Sequence, residues 1–315
     1  MLRGRTIELN CECMPDIDLI KIHFSPQGLL VLNIVLAIIM FGIALELSRE
    51  DFTALIQNRK SAIVGLLAHF LLLPLVTFLL TILLHPIPSV ALGMILVGCC
   101  PGGNMSNMFT HFATGNTALA VALTSVSHLL AIVIMPLNFA LYGSLNPATS
   151  ALLHTIHLGI ADVFGTVFSI VVIPLVCGML ISHYQPALAG RLNKWMKIFS
   201  LVAFALFIIA AFAGNVNAFV QSAPVILPLV LIHNACALGI GFGFAKTLRL
   251  PFNDIKTITF ETGVQNSGLG LVLIFTFFNG MGGMALVASS WGVWHLVTGG
   301  LLSWLWGKKA TQQPA

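Results

Sequence analysis

The 315-residue chain is too apolar and too sparsely charged to be soluble in water. Apolar residues make up 58% of it and charged residues only 8%, with 14 Lys and Arg against 10 Asp and Glu. A soluble domain carries roughly 25% charged residues. This composition excludes a soluble globular protein, a nucleic-acid binder and a disordered chain. It predicts an all-α polytopic membrane protein.

The chain contains about nine apolar segments, each close to the roughly 20 residues that a helix needs to cross a bilayer. They lie at approximately 25–47, 61–84, 90–112, 117–142, 152–181, 198–219, 223–245, 255–279 and 284–306. Short joints rich in turn-forming residues separate them, such as 85–89 and 279–283. We therefore predict one integral domain at 25–307, between a polar tail at 1–24 and a short tail at 308–315.

The basic residues fall almost entirely on one face of the predicted membrane. If successive joints alternate between the two faces, all but three of the 14 Lys and Arg share a face, and those three lie in the leading tail. Lys and Arg are retained on the cytoplasmic side of a membrane. The asymmetry predicts an extracytoplasmic N-terminus and a cytoplasmic C-terminus in the plasma (inner) membrane. The residues on the cytoplasmic face are Arg49, Arg59, Lys60, Arg191, Lys194, Lys197, Lys246, Arg249, Lys256, Lys308 and Lys309.

The third apolar segment, 90–112, does not suit a continuous helix. Its middle reads Cys99-Cys100-Pro101-Gly102-Gly103-Asn104-Met105-Ser106-Asn107. Proline cannot donate to the helical hydrogen-bond ladder, and glycine favours unwinding. Backbone groups that are freed in hydrocarbon cost several kcal/mol each unless something satisfies them. We predict a break in this helix, inside protein or beside a water-filled cavity.

The eighth segment, 255–279, has the same character. Its middle reads Phe260-Glu261-Thr262-Gly263-Val264-Gln265-Asn266-Ser267-Gly268-Leu269-Gly270. An ionisable residue inside a membrane marks a functional site, and Glu261 is therefore the leading candidate. The alternative is that Glu261 is a protonated packing residue near the cytoplasmic end. The flanking glycines and the adjacent carboxamides do not suit a packing helix.

Two interrupted helices, one in each half of the chain, predict a transporter built from inverted repeats. The N-termini of half-helices present unpaired N–H groups and a positive dipole end, which suit an anionic substrate. Oxygen donors suit a small hard cation such as Na⁺, and the sequence has no cluster of soft ligands for a transition metal. The candidate oxygen donors are Ser106, Asn107, Thr124, Ser125, Glu261 and Gln265.

Three stretches of the chain carry family motifs. They are Pro101-Gly102-Gly103-Asn104-Met105-Ser106-Asn107, followed by Gly115-Asn116-Thr117-Ala118-Leu119 and Thr124-Ser125-Val126-Ser127; Glu261-Thr262-Gly263-Val264-Gln265-Asn266-Ser267-Gly268-Leu269; and Val293-Trp294-His295. In these residues the chain resembles the bile acid:sodium symporter family. The resemblance extends from about residue 25 to the C-terminus.

This resemblance implies a fold of two inverted five-helix repeats, divided into a panel domain and a core domain, with the two discontinuous helices crossing in the core. Bacterial members typically have ten helices. With about nine, the chain looks like a bacterial-type sodium/organic anion symporter that lacks the first helix. An extracytoplasmic N-terminus agrees with that count.

The resemblance also implies two sodium sites that share Glu261. The first would use the side chains of Ser106, Asn107, Thr124 and Glu261. The second would use His69, Glu261, the carbonyls of Thr262 and Val264, and Gln265.

Two positions depart from the family pattern. A hydroxyl ligand that is usual in the first site falls on Ala120, so the site loses a donor. The family's glutamine on the second span falls on His69. A neutral imidazole nitrogen could still face the ion, but histidine also titrates near physiological pH. Sodium coupling at the second site and proton coupling near Glu261 and His69 therefore both stay open. The further alternative is that His69 is a hydrogen-bonded helix residue that faces its neighbours.

For the anion, the resemblance implies a carboxylate held at the crossing. It would meet Asn104 and Met105 at the start of a half-helix and the side chain of Asn266. Asn104 stands where threonine is usual. His295 would line the cavity or pack in its helix. We expect structural roles for the other histidines, His111, His128, His154, His157 and His233.

These observations favour a secondary active transporter that carries an organic anion with sodium by alternating access. The anion would be a small hydroxy- or keto-acid or a larger bile-acid-like amphipath. The alternative is proton-coupled or uncoupled carriage of the same anions. An intramembrane enzyme is disfavoured because the sequence lacks a catalytic pair or a motif such as H-E-x-x-H, and a channel because channels repeat one filter by oligomerisation. The expected partners are sodium, the anion and the lipid bilayer, without nucleic acid or a protein partner.

Overall fold

Helices account for the regular secondary structure of the described part of the chain. The structure, a computed structural model, describes residues 26–46, 53, 55–155, 168, 172–213 and 216–311. The predicted tail at 1–24 and the last residues of the tail at 308–315 lie outside the described residues. The helices are α1 Pro26–Glu46, α2 Arg59–Leu67, α3 Leu73–Leu84, α4 Pro88–Cys99, α5 Met105–Phe112, α6 Thr117–Leu145, α7 Pro147–Thr155, α8 Ile173–Tyr184, α9 Pro186–Ala213, α10 Val216–Thr247, α11 Phe252–Gly263, α12 Ser267–Phe277 and α13 Gly282–Thr311.

Among the described residues, four stretches of helix are long and apolar enough to cross a bilayer. They are Arg59–Leu84, which joins α2 to α3 through a π-helical turn, Thr117–Leu145, Phe219–Thr247 and Gly282–Lys308. Shorter apolar helices include Pro88–Cys99, Ile173–Tyr184 and Ser267–Phe277. Helices of this length and hydropathy are typical of membrane spans. The chain is an integral membrane protein, which confirms the predicted all-α polytopic class.

Both predicted interruptions are present. The first broken helix consists of α4 and α5, which are separated by residues 100–104, and the second consists of α11 and α12, which are separated by 264–266. In the first, α4 ends two residues before Pro101, which has no N–H with which to continue the ladder. Each interruption lies near the middle of its predicted span.

The same order of helices occurs in each half of the chain. In the first half, α2 and α3 precede the first broken helix, and α6 follows it. In the second half, α10 precedes the second broken helix, and α13 follows it. These helices form the core. Helices α1, α8 and α9 pack chiefly against one another and form the described part of the panel.

The broken helices are held in the core by close backbone approaches. A Cβ atom at Gly93 of α4 would lie 2.8 Å from Cα of Met284 in α13. A Cβ atom at Gly241 of α10 would lie 2.8 Å from the carbonyl oxygen of Ile258 in α11. Small residues permit such tight packing between membrane helices. The first half of each broken helix is thereby fixed against a long helix of the second repeat.

A buried carboxylate joins three core helices at the start of the second broken helix. Asp254, in the first turn of α11, accepts hydrogen bonds from Ser61 Oγ of α2 at 2.5 Å and from Asn116 Nδ2 at 2.9 Å. Asn116 is the N-cap of α6, where its Oδ1 accepts a hydrogen bond from Leu119 N at 3.1 Å. Asp254 is only 6% exposed, and the junction therefore sets the position of α11 relative to α2 and α6.

One predicted helix boundary is wrong. The sixth span, 198–219, was expected to end at 219 and the seventh, 223–245, to begin at 223. In the structure α9, which begins at Pro186, ends at Ala213, and α10 begins at Val216. Helix α10 contains Pro224 and Pro228 in its interior. Proline is tolerated inside membrane helices because neighbouring groups satisfy the carbonyls that it leaves unpaired.

Candidate functional site

The two broken helices cross at their interruptions, where the extended segments pair through an isolated antiparallel bridge. Gly103 N donates to Val264 O at 2.7 Å, and Asn266 N donates to Pro101 O at 2.8 Å. The pairing satisfies backbone groups that each break would otherwise leave unpaired in the membrane. The two interruptions therefore stabilise each other and bring the two sequence motifs into contact.

The Glu261 side chain lies in a cluster of oxygen atoms beside the crossing and is only 1% exposed. Its Oε2 accepts hydrogen bonds from Ser106 Oγ at 2.9 Å and Thr124 Oγ1 at 2.7 Å. Its Oε1 accepts one from Ser127 Oγ at 3.2 Å. Thr124 Oγ1 also lies 3.0 Å from Asn107 Oδ1. The structure thus brings together all four side chains predicted for the first sodium site.

Ser127 was not among the predicted sodium ligands, although it contacts the carboxylate directly. It follows Thr124 by three residues on α6, and residues at this spacing share a helix face. The motif Thr124-Ser125-Val126-Ser127 therefore already indicated that Ser127 faces the same site as Thr124. Ala120, where the resemblance leads one to expect a hydroxyl, is buried one turn before Thr124. Ser127 adds a hydroxyl on the same face of the helix.

Gly102 makes room for the carboxylate. A Cβ atom at this position would overlap the Glu261 side chain, and the affected atoms are those of its carboxylate group. The carboxylate is fixed by three hydroxyl donors and cannot move without losing them. The glycine is required here by close approach of a side chain rather than by its backbone conformation.

We expect Gly102→Ala to lower the stability of the purified protein by about 1–3 kcal/mol, the usual cost of overpacking a well-packed interior. The matched control is Gly243→Ala in α10, where a Cβ atom would meet nothing within 4 Å and where alanine favours the helix. Thermal unfolding of both variants in detergent checks the prediction. Equal unfolding temperatures for the two variants would contradict it.

The residues predicted for the second sodium site surround the end of α11. Gln265 Nε2 donates to Thr262 O at 2.7 Å. Gln265 Oε1 is buried and has no hydrogen-bond partner among the described residues. A buried acceptor without a partner is costly. In the sequence Gln265 follows Val264, whose carbonyl pairs with the first broken helix. The amide oxygen could therefore coordinate a cation.

His69 contacts both broken helices. It lies in the π-helical turn Ala68–Leu72, an irregularity that is frequent at functional sites. Its Nε2 is 3.0 Å from Cys100 O, and its Nδ1 is 3.3 Å from Glu261 O. Carbonyl oxygens only accept, and a neutral imidazole carries one N–H, so a neutral ring can donate to only one of these two oxygens. His69 therefore lies at the crossing and contacts a backbone oxygen of each broken helix.

Asn234 of α10 is a further residue of the crossing that the sequence analysis missed. Its Nδ2 donates to Gly263 O at 2.8 Å, and its Oδ1 accepts a hydrogen bond from Thr298 Oγ1 at 2.7 Å. It thereby satisfies a carbonyl freed where α11 ends. A carboxamide in the middle of an apolar span was the available signal, because buried polar groups in membranes need partners.

The residues predicted for the anion lie mostly at the two half-helix N-termini. Asn104 is exposed, and Met105 and Asn266 are half-buried. Asn266 is the N-cap of α12, and its Oδ1 accepts a hydrogen bond from Leu269 N at 3.0 Å. His295 of α13 is buried, and its Nδ1 has no hydrogen-bond partner among the described residues. The N–H groups that begin α5 and α12 could receive a carboxylate.

Two broken helices that cross between long apolar helices define the class of inverted-repeat membrane transporters. Residues 33–222 match the Sodium Bile acid symporter family. The chain belongs to this family.

Individual relatives span bacteria, plants and animals. The chain is 33% identical over 284 residues to the uncharacterized sodium-dependent transporter YocS of Bacillus subtilis (strain 168), which covers 90% of this chain and 85% of that protein. It is 30% identical over 280 residues to the probable sodium/metabolite cotransporter BASS1, chloroplastic, of Arabidopsis thaliana, covering 88% and 67%. It is 30% identical over 243 residues to the ileal sodium/bile acid cotransporter of Homo sapiens, covering 76% and 67%.

Proposed function

We propose that this chain is a secondary active transporter that uses a sodium gradient to drive symport of an organic anion. The observation that carries the proposal is the buried carboxylate of Glu261, which meets three hydroxyl groups where the broken helices cross. Carboxylate, hydroxyl and amide oxygens are the donors that hard cations take. The names of the relatives, a sodium-dependent transporter and a sodium/bile acid cotransporter among them, support the same function and favour it over an intramembrane enzyme.

The first sodium ion would bind between three helices. Ser106 and Asn107 come from α5, Thr124 from α6 and Glu261 from α11. The hydroxyls that now donate to the carboxylate would rotate, so that their lone pairs face the ion while the carboxylate supplies the negative charge. Because the ion would join both broken helices, its binding would hold the crossing in one geometry.

A second sodium ion would bind at the end of α11. Its ligands would be the carbonyls of Thr262 and Val264, the amide oxygen of Gln265, the carboxylate of Glu261 and a nitrogen of His69. The unpaired Gln265 Oε1 supports this proposal. A shared carboxylate would make the two ions depend on each other.

The anion would bind at the positive ends of α5 and α12. Asn104, Met105 and Asn266 would contact its carboxylate group, and His295 would complete the cavity wall. Since the crossing orders these N-termini, sodium would raise the affinity for the anion, and by linkage the anion would raise the affinity for sodium. The expected substrates are small hydroxy- or keto-acids or bile-acid-like anions.

Alternating access would come from movement of the core relative to the panel helices α1, α8 and α9. We propose that the protein lies in the plasma (inner) membrane as a single transporter domain at 25–307. The tail at 1–24 would be extracytoplasmic and the tail at 308–315 cytoplasmic, because that orientation places most basic residues inside.

Uptake by proteoliposomes tests the proposal. Labelled pyruvate, pantoate and glycocholate, each with a carboxylate group, are offered in sodium buffer and in choline buffer across a range of pH, with empty liposomes as the control. We expect concentrative uptake of at least one anion that requires an inward sodium gradient, because the ion and the anion share the crossing. Uptake driven by a pH gradient in choline buffer would favour the proton-coupled alternative, and uptake that never exceeds equilibrium would favour an uncoupled carrier.

A further inference from the structure

We infer that His128 of α6 is a positioning residue for the anion-binding side chain of Asn266, and that it connects this side chain to the helical turn that carries Thr124. The inference rests on the proposed function, in which Asn266 contacts the anion and Thr124 contacts sodium. From the sequence, His128 was expected to be structural, so the structure changes its interpretation.

The inference starts from a chain of hydrogen bonds that ends at the N-terminus of α12. His128 is buried, 2% exposed. Its Nδ1 lies 2.7 Å from Thr124 O, one turn earlier on α6, and its Nε2 lies 3.2 Å from Asn266 Nδ2. Asn266 Oδ1 in turn accepts a hydrogen bond from Leu269 N at 3.0 Å.

The donor and the acceptor of each hydrogen bond follow from the two ends of this series. Thr124 O can only accept, so Nδ1 of the ring carries the proton. Leu269 N can only donate, so the cap fixes the Asn266 amide with its oxygen toward α12 and its nitrogen toward the ring. The ring nitrogen that faces Asn266 Nδ2 must therefore be an acceptor, which requires the neutral tautomer with the proton on Nδ1. In this arrangement each of the three hydrogen bonds joins a donor to an acceptor.

This arrangement determines what Asn266 offers to a ligand. The amide nitrogen carries two N–H groups, and the contact with His128 uses one of them. Because the oxygen is engaged in the helix cap, the remaining N–H is the group that a ligand meets. His128 thus makes Asn266 a donor toward the ligand, which selects for a carboxylate. Without the ring, the cap with Leu269 would be the one side-chain hydrogen bond that the described residues give Asn266, and its N–H groups would be directed less firmly at the ligand.

The same turn of α6 serves both proposed binding sites. The Thr124 hydroxyl donates to the carboxylate of Glu261 at 2.7 Å, while the Thr124 carbonyl receives Nδ1–H of His128. A shift of this turn on sodium binding would move the His128 ring and the Asn266 amide together. His128 is therefore a direct physical link between the sodium ligands and the anion ligand.

Three variants test the inference in the proteoliposome uptake assay. His128→Leu removes both ring nitrogens, whereas His128→Gln restores an acceptor oxygen near the position of Nε2. The matched control is His233→Leu, because His233 is equally buried but pairs with Thr77, whose hydroxyl already donates to Leu73 O. The assay measures KM and maximum rate for the transported anion, and the sodium concentration that gives half-maximal rate at saturating anion.

We expect His128→Leu to raise KM at least about tenfold, with little change in maximum rate. This is the effect of losing the charge-assisted hydrogen bond from the Asn266 amide to the anion, which His128 positions. By linkage, the half-maximal sodium concentration at saturating anion should rise as well, because the bound anion then adds less to the affinity for sodium. The sodium dependence of thermal stabilisation without anion should stay within about twofold, since the sodium ligands are intact. His128→Gln should recover most of the affinity, and His233→Leu should match the wild type. An unchanged KM in His128→Leu, or a KM for His128→Gln as high as that of His128→Leu, would overturn the inference.

A double-mutant cycle with Asn266→Ala separates this inference from the proposed function. If His128 acts through Asn266, the variant with both substitutions should have the KM of Asn266→Ala alone. Its loss of thermal stability should likewise be smaller than the sum of the losses in the two single variants. Additive effects would overturn the inference. The thermal cycle needs no transported anion. If the wild type transports none of the three anions, the proposed function fails while the stability coupling between His128 and Asn266 still decides the positioning role.

Discussion

Glu261→Gln is expected to abolish sodium-driven uptake while leaving the protein folded. The substitution keeps the size of the side chain and its capacity to pair with the three hydroxyls, but it removes the only full negative charge in the cluster around Ser106, Thr124 and Ser127. Two unit charges about 4 Å apart attract by about 4 kcal/mol at the effective dielectric of protein sites. Losing an interaction of this order weakens sodium binding by a factor of about 100 or more. Glu261→Ala should have the same effect on uptake.

The control for this prediction neutralises Asp254, the second buried carboxylate among the described core residues. Asp254→Asn removes a negative charge at the start of the same half-helix, but it lies outside the crossing and should retain sodium-driven uptake. Sodium-dependent thermal stabilisation, measured on purified protein, should disappear in Glu261→Gln and persist in Asp254→Asn. Uptake at the wild-type rate by either Glu261 variant would refute the shared-ligand role.

The sequence was sufficient to predict both interruptions because the residues responsible are local. Pro101 and the glycines beside it cannot sustain a helix, and Glu261 in an apolar span needs a special environment. The fold class and the candidate oxygen donors could therefore be predicted from residue type. The family resemblance added which four of these side chains form the first proposed sodium site.

Other parts of the site depend on distant neighbours and could not be predicted in the same way. The partners of Asn234 and His128 in the second broken helix lie 29 and 138 residues away along the chain. A buried histidine has no local pattern that separates a packing role from a positioning role. Ser127 differs from these, because its spacing from Thr124 already placed it on the correct face.

The boundary between α9 and α10 was missed for a different reason. Continuous hydropathy across 198–245 shows where lipid-facing residues occur, but it does not show where a helix turns. Proline was no guide either, since Pro224 and Pro228 lie within α10 and Pro186 marks the start of α9. In a membrane span the packing neighbours, rather than the proline itself, decide whether the helix continues.

Asp254→Ala is expected to destabilise the core by about 2–6 kcal/mol. Asp254 accepts hydrogen bonds from Ser61 Oγ and Asn116 Nδ2, and removing it leaves two donors without their acceptor at a cost of about 1–3 kcal/mol each. The substitution also removes a negative charge from the first turn of α11, where it interacts favourably with the helix dipole. Thermal or denaturant unfolding in detergent measures the loss.

Asp254→Asn should cost far less than Asp254→Ala, because the asparagine oxygen can accept from Asn116 and its nitrogen can donate to the Ser61 hydroxyl. Neutralising Glu261 and neutralising Asp254 should therefore have different effects. The charge of Glu261 matters for sodium binding, whereas at Asp254 the hydrogen-bonding capacity matters for the junction of α2, α6 and α11. Equal stabilities of Asp254→Ala and Asp254→Asn would show that this junction is held by packing alone, and a loss of sodium-driven uptake in folded Asp254→Asn would make its charge part of the transport mechanism.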